Sequence, residues 1–369
     1  VTKLNDLYDH YGQSPWIDNI RRDWLNDGTL ANLVNDGVRG VTSNPSIFAK
    51  AFATSSAYDE LVAASTQRDP EALFEELAVA DVRDACDVTK SVFEESRRAF
   101  AAKRRRYLDG FVSLEVSPRL ARDTAGTIAA ASRLNDLVAR PNVMIKIPAT
   151  LEGLPAITEA LTRGINVNVT LIFSLERYEQ VLNAWLAGLE GAANDGRDLS
   201  AIASVASFFV SRVDVAIDAL LDDGDARRGR SANAQVAAAY ALYRSTIDSP
   251  RAQNLLAQGA QVQRPLWAST STKNPTYDEL LYVDTIVADE TVNTMPDATL
   301  QAALHRGEFS QSALRDELST RNLADELALL APTVSLAGVT TQLEIDGVRA
   351  FVDAYDELLA TVASKMHTA

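Results

Sequence analysis

Lys146 stands in the run Val143-Met144-Ile145-Lys146-Ile147-Pro148, one amine among apolar residues. A lysine is almost never fully buried without a partner or a task. Burial favours the neutral form of an amine, and only that form attacks a carbonyl carbon. Condensation with a ketone gives a carbinolamine and then an iminium, an electron sink that lets a C–C bond one atom away break. Forming and hydrolysing the imine needs protons moved through a water, and cleavage needs a second base beside the departing hydroxyl. Glu115 with Thr170 suits the first duty and Asp18 the second. Such a set requires no metal and no organic cofactor.

These residues share a volume only if the strands beneath them do. Runs rich in Val, Ile and aromatics recur along the chain, separated by stretches with apolar residues at helical spacing. We read strands at Trp16–Ile20, Gly40–Ser43, Gly110–Val116, Val143–Pro148, Asn166–Phe173, Ser204–Val210, Pro265–Thr270 and Asp284–Ala288. Helical stripes lie between, such as Leu154, Ile157 and Leu161, closed by Arg163-Gly164, and a second that starts at the N-cap Ser174. Alternation of strand and helix predicts a parallel sheet, and eight such units predict a closed (β/α)8 barrel, the TIM architecture. No G-x-G-x-x-G follows the first strand and no linker divides the chain, so a single domain over residues 1–369 is expected. The connections Phe48–Asp109 and Asp222–Gln263 read as helical insertions, and an amphipathic C-terminal helix carries Ile345, Val348, Val352, Tyr355, Leu359 and Val362.

Strand parity then sorts inside from outside, because successive side chains point to opposite faces. Val143, Ile145 and Ile147 share the helix-facing parity, which turns Met144 and Lys146 inward. Val112, Leu114 and Val116 face out, leaving Ser113 and Glu115 inside. Val167, Val169 and Leu171 face out, so Asn166, Asn168 and Thr170 point in, with Asn166 also readable as layer packing. Asp18 has the polar parity at the end of the first strand. In a barrel the working residues gather where strands end at the C-terminal face. Asn44 precedes Pro45, a helix N-cap signature, and could equally bond a substrate hydroxyl. Phosphate recognition at a barrel mouth needs cations and hydroxyls. Arg212 follows the strand with Ser207 and Phe209, while Ser269, Ser271 and Lys273 follow the seventh, just before a further Asn-Pro helix start at Asn274-Pro275.

Composition narrows the classes. The 369 residues hold 50 acidic and 35 basic side chains, a formal charge of -15 that disfavours nucleic acid and anionic membrane as partners. The one dense basic run, Lys103–Arg106, is expected in the last turn of a helix, where cations complement the dipole. A lone cysteine, Cys86, excludes an internal disulfide and a cysteine-based zinc cluster, and three histidines without metal spacing argue against a metal site. No apolar stretch reaches the length of a membrane span, and no basic-plus-apolar leader is seen, so a cytoplasmic location is expected.

The same segments resemble the transaldolase family. They are Gly40-Val41-Thr42-Ser43-Asn44-Pro45-Ser46, Ser113-Leu114-Glu115-Val116 with Arg119-Leu120 and Asp123-Thr124, Ile145-Lys146-Ile147-Pro148-Ala149-Thr150, and Gly164-Ile165-Asn166-Val167-Asn168-Val169-Thr170-Leu171. Trp267-Ala268-Ser269-Thr270-Ser271-Thr272-Lys273-Asn274-Pro275 and Thr291-Val292-Asn293-Thr294-Met295-Pro296 resemble its longer bacterial and plant-type branch, in an actinobacterial-like form. The resemblance implies transfer of a dihydroxyacetone unit from sedoheptulose 7-phosphate to glyceraldehyde 3-phosphate, in the non-oxidative pentose phosphate pathway. It implies Lys146 as the Schiff-base lysine, Asp18 as acid/base, and Glu115 and Thr170 as holders of the catalytic water. It implies Asn44 and Asn168 on the dihydroxyacetone hydroxyls, with Ser207, Phe209 and Arg212 as wall and phosphate site. Where the better-known branch has a second phosphate-binding arginine, Lys273 stands here, a point charge without the bidentate fork. Sugar phosphates are the expected partners, and monomer and homodimer are both open. Two rivals are an aldolase that releases free dihydroxyacetone and a non-catalytic sugar-phosphate binding barrel.

Overall fold

The computed structural model describes residues 2–312, 314, 316–330 and 334–368. Its parallel strands are β1 Gln13–Ile17, β2 Val112–Glu115, β3 Val143–Pro148, β4 Val167–Ile172, β5 Ser204–Phe209, β6 Gln263–Ala268 and β7 Thr291–Met295. They pair in the order β1-β7-β6-β5-β4-β3-β2, so the sheet curls into an open barrel with β1 and β2 at its edges. Val41 meets both edges through single parallel bridges, to Ile17 and to Val112.

Helices cover the outside, and their ends follow local chemistry. Asp69 caps the helix Pro70–Val88 by accepting from Ala72 N, with Pro70 at the first position, where its missing N–H costs nothing. Ser174 caps Leu175–Asn194 through Arg177 N, as its position predicts. Gly153–Thr162 ends at Arg163, and Gly164 takes the left-handed φ of +81° that follows a helix end. The connection between Val41 and β2 contains Pro45–Thr54, Asp59–Ala64, Pro70–Val88 and Lys90–Ala101. Cys86 is buried in the third of these. Ser231–Ile247 and Pro250–Ala257 fill the insertion before β6. The last helix, Leu336–Thr368, lies against Pro45–Thr54 and Pro70–Val88. Among the described residues no helix is long and apolar enough to cross a membrane.

Two apolar clusters divide as parity predicts. Val112, Leu114, Val143, Ile145, Ile147, Val167 and Val169 join the layer between sheet and helices. Trp16, Met144, Val205, Leu266 and Val292 form the interior cluster with Phe93 and Phe111. Leu171 departs from its expected outward place and belongs to the interior cluster. The β4–β5 register shifts between Val169 and Ile172, and Leu171 has a φ of +60°, so a bulge turns it over.

Several strand boundaries also move. The expected strand Gly40–Ser43 shrinks to the Val41 bridges, because the helix N-cap at Asn44 follows at once. A Cβ on Gly40 would lie 2.4 Å from the Trp16 indole, so only glycine lets the chain pass there. The first strand begins at Gln13, three residues before the apolar run, since Gln13 and Ser14 are buried through side-chain hydrogen bonds. The expected strand Asp284–Ala288 is not one: Asp284 ends a short helix, and Ile286, Val287 and Ala288 are buried without ladder pairing. The strand is Thr291–Met295, whose polar side chains are satisfied inside, Thr270 Oγ1 donating to Asn293 Oδ1 at 2.8 Å. No helix starts at Asn274-Pro275; Asn274 Oδ1 instead accepts from Thr276 N and Oγ1 in a local turn. The basic run Lys103–Arg106 lies past the helix that ends at Ala101, where Arg105 pairs with Asp289 and Arg106 with Glu290.

Candidate active site

Lys146 sits on β3, one strand in from the β2 edge, its neighbours dictated by register. Glu115 on β2 is its direct partner on one side and Asn168 on β4 on the other. The Lys146 Nζ lies 3.4 Å from Glu115 Oε2 and donates to the Ser43 carbonyl at 3.0 Å. Phe351, from the C-terminal helix, brings its ring centroid to 5.8 Å from that nitrogen. Burial pushes the Glu115 carboxyl up to about 7, with Lys146 pulling the other way. Thr170 is fully buried, and among the described residues its Oγ1 has no hydrogen-bond partner.

Asp18 lies one residue past β1, with its backbone N–H on Met295 O at 2.8 Å. Thr42 Oγ1 donates to Asp18 Oδ1 at 2.6 Å and meets Thr294 Oγ1 at 2.6 Å. Burial raises the Asp18 carboxyl above its ordinary range, opposed by Lys146 and by the Thr42 hydroxyl. A carboxyl so placed exchanges protons more readily near neutrality than an exposed one.

A cavity of about 180 Å3 connects these groups with the mouth. Of the expected residues, Asp18, Asn44, Lys146, Thr170, Ser207, Phe209, Arg212, Ser269, Ser271 and Lys273 line it. Glu115 touches it through Lys146. Asn168 lies in the layer below, where Ser207 Oγ donates to its Oδ1 at 2.7 Å and its Nδ2 donates to Ser113 Oγ at 3.0 Å. The Asn44 oxygen caps the helix by accepting from Ile47 N at 3.0 Å, which leaves its amide N–H groups to the cavity. Asn166 is layer packing, its amide bound to Pro141 O and Val143 O and its oxygen to Ala203 N.

At the mouth the Arg212 guanidinium stands 5.4 Å over the Phe209 ring, with no hydrogen bond or ion pair to the described residues. Lys273 Nζ donates to Ser271 Oγ at 2.6 Å. Both cations have their pKa lowered, first by burial, and Lys273 next by Arg212. Two cations and the hydroxyls of Ser269 and Ser271 in one cavity form a site for an anion. Sequence reasoning missed Thr42, Ser46, Thr294, Pro296 and Phe351, which also line it. Placing the last strand at Thr291 would have found Thr294 by parity. Phe351 continues the apolar stripe from Val348, but nothing local says what that stripe covers.

Known proteins resemble the chain over nearly its whole length. Residues 15–362 match the family model described as Transaldolase/Fructose-6-phosphate aldolase. The chain is 46% identical over 363 residues to the transaldolase of Frankia alni, covering 96% of this chain and 95% of that one. It is 47% identical over 363 residues to the transaldolase of Thermobifida fusca, covering 96% of each. Against the transaldolase of Mycobacterium leprae the identity is 47% over 358 residues, 94% of this chain and 92% of that one. A match over nearly the whole chain means that the chain belongs to the transaldolase/fructose-6-phosphate aldolase family.

Proposed function

We infer that the chain is a transaldolase acting on sugar phosphates, and that Lys146 is its Schiff-base residue. The carrying observation is the buried amine beside Glu115, opening on a cavity that is also lined by Asp18 and by the two cations Arg212 and Lys273. The reaction moves a dihydroxyacetone unit from sedoheptulose 7-phosphate to glyceraldehyde 3-phosphate, yielding erythrose 4-phosphate and fructose 6-phosphate, a step of the non-oxidative pentose phosphate pathway.

Neutral Lys146 Nζ attacks the C2 ketone, and the carbinolamine loses water to give the iminium. Glu115, with a carboxyl near 7, and Thr170 position the water that enters and leaves and pass its protons. Asp18 takes the proton from the C4 hydroxyl as the C3–C4 bond breaks. The bonding pair moves into the iminium as an enamine, and erythrose 4-phosphate departs as the aldehyde. Glyceraldehyde 3-phosphate then enters, the enamine carbon attacks its carbonyl, and Asp18 returns the proton. Hydrolysis of the new imine releases fructose 6-phosphate. Asn44 and Asn168 grip the dihydroxyacetone hydroxyls, Ser207 and Phe209 form the wall, and Arg212 with Ser269 and Lys273 holds the phosphate. The iminium itself is the electron sink, so no metal or organic cofactor is called for.

The Val41 bridges on both edges support an eighth strand position, and so a closed (β/α)8 barrel with helical insertions. One sheet with one continuous outer core supports a single domain over residues 1–369. The net charge of -15 favours small anionic metabolites held by local cations over nucleic acid, and a cytoplasmic setting suits these substrates.

Borohydride reduction in the presence of fructose 6-phosphate, followed by peptide mass mapping, tests the reading. Label on Lys146, with transfer to erythrose 4-phosphate as acceptor, is the expected result. Label elsewhere, or none, defeats it. Rapid cleavage of fructose 6-phosphate without any acceptor would favour a free aldolase instead.

A further inference from the structure

The loop between β6 and the helix Leu281–Asp284 carries Ser269, Ser271 and Lys273 to the cavity, yet has neither strand nor helix of its own through Leu280. Lys273 is exposed on it. Fixing an irregular segment costs about 1–2 kcal/mol of backbone entropy per residue, so a defined geometry needs anchors. Local bonds are few, chiefly the Asn274 turn. Ser269 is tied to Ser211 and Thr270 to Asn293 at its start, and Glu279 pairs with Arg306 near its end; two further long-range bonds fall between these and just beyond. Tyr277 Oη donates to Asp218 Oδ2 at 2.7 Å, and Tyr282 Oη donates to Asp214 Oδ2 at 2.7 Å.

Both aspartates lie on the helix Ser211–Asp218, which also carries Arg212. Asp214 and Asp218 are four residues apart and share one helix face, away from the cavity that Arg212 lines. Their remaining oxygens are spoken for. Asp214 Oδ1 accepts from Ala232 N at 2.7 Å, and Asp218 Oδ1 accepts from Gly229 N at 3.0 Å. Gly229 has a φ of +71°, and a Cβ there would meet the Tyr277 ring at 2.8 Å. The start of the insertion thus locks the aspartates from behind while the tyrosines hold the loop in front.

We propose that Tyr277–Asp218 and Tyr282–Asp214 are positioning contacts that set Lys273 against Arg212 and so tune affinity for the substrate's phosphate, with the residues 229–232 segment as their brace. None of the four side chains lines the cavity; they act through the two cations. The inference rests on the reading that Arg212 and Lys273 hold phosphate. It assigns a task to the insertion after Asp222, which the transfer chemistry leaves idle.

The test uses Tyr277→Phe, a half-buried hydroxyl removed without loss of the ring, and Tyr282→Phe as a second variant. Four quantities are measured on each: KM and kcat for fructose 6-phosphate, the Kd of inorganic phosphate by calorimetry, and the rate of borohydride trapping with unphosphorylated dihydroxyacetone. A lost hydrogen bond of ordinary worth should raise KM and the phosphate Kd together by between about twofold and tenfold. The kcat and trapping rate should stay within about twofold. Unchanged KM and phosphate Kd in both variants would overturn the proposal, and so would a parallel fall in kcat and trapping. Failure of the wild-type protein to trap dihydroxyacetone at Lys146 would defeat the Schiff-base reading, whereas the calorimetric Kd judges the positioning contacts without it.

Discussion

Glu115 and Lys146 face each other in direct register across β2 and β3, with the carboxylate oxygen 3.4 Å from the amine. Burial lifts the Glu115 carboxyl to about 7 although the lysine opposes it, so near neutral pH the same group can accept and return a proton. Above about 7 it is a carboxylate and can take the proton; as pH falls through about 7 that form is lost. Steps that rely on it should therefore slow on the acid side. Glu115→Gln keeps the shape but cannot take up a proton, and kcat should fall roughly a hundredfold or more. Initial rates across neutrality should show an acid limb in the wild-type protein and none in the variant. An acid limb persisting in the variant would assign it to another group.

Arg212 and Lys273 meet at the mouth on unequal terms. Arg212 has its whole fork free among the described residues, while Lys273 shares its protons with Ser271. Hydrogen bonds from a charged donor are worth more than neutral ones, and the fork engages two phosphate oxygens at once. Lys273→Ala should raise KM for fructose 6-phosphate roughly tenfold, and Arg212→Ala by more, up to roughly a hundredfold. Trapping of unphosphorylated dihydroxyacetone should be nearly untouched in both. Equal losses with and without phosphate on the substrate would move the phosphate site elsewhere.

Parity made the heart of the site legible because β2, β3 and β4 each have one clean apolar face. Lys146, Glu115, Asn168 and Thr170 were placed by their neighbours Ile145, Leu114, Val167 and Val169 rather than by their own types. The same logic failed at Leu171, where a positive φ inverts the alternation, an event no hydrophobic pattern announces. It failed again at β7, whose Asn293 accepts from Thr270 and whose Thr294 meets Thr42, so that a buried strand reads as a loop. Burial by hydrogen bonding leaves no apolar signal. The Tyr–Asp anchors were invisible for a different reason, since partners more than fifty residues apart are joined only by the fold.

Asp109 shows how much such hidden polar burial matters for the scaffold. Below the interior cluster it accepts from Trp16 Nε1 at 2.8 Å and pairs with Arg264 and Arg39, each at 3.2 Å. Burial alone would raise its carboxyl, but the two guanidiniums together with hydrogen bonds from Ser14 and Trp16 outweigh that and hold it below the usual range. A lowered folded pKa means stability that is present above the ordinary carboxylate range and lost as pH falls through the folded value. Asp109→Ala strands two buried cations and should cost about 3–5 kcal/mol at neutral pH. Urea unfolding should show that gap and show it narrowing in acid. A gap independent of pH would mean that packing, not charge, is what the substitution removes.

Phe351 closes the cavity over the amine, its ring centroid 5.8 Å from Lys146 Nζ and its surface 4% exposed. It reaches there because Gly347, one turn earlier, lets the C-terminal helix approach Leu171 and Phe173, where a Cβ would already lie within 3.2 and 3.3 Å. A transferase must keep its enamine from being protonated before the acceptor arrives, and excluding water from the lysine does that. Phe351→Leu keeps an apolar cover of smaller reach, whereas Phe351→Ala opens the site and should cost about 3–5 kcal/mol in stability. Both should raise the dihydroxyacetone released from fructose 6-phosphate without acceptor, relative to transfer onto erythrose 4-phosphate, and alanine should do so more. The ratio isolates the cover from any general loss of active protein, since both reactions use the same lysine. An unchanged ratio in the alanine variant would show that the enamine is shielded by some other part of the site.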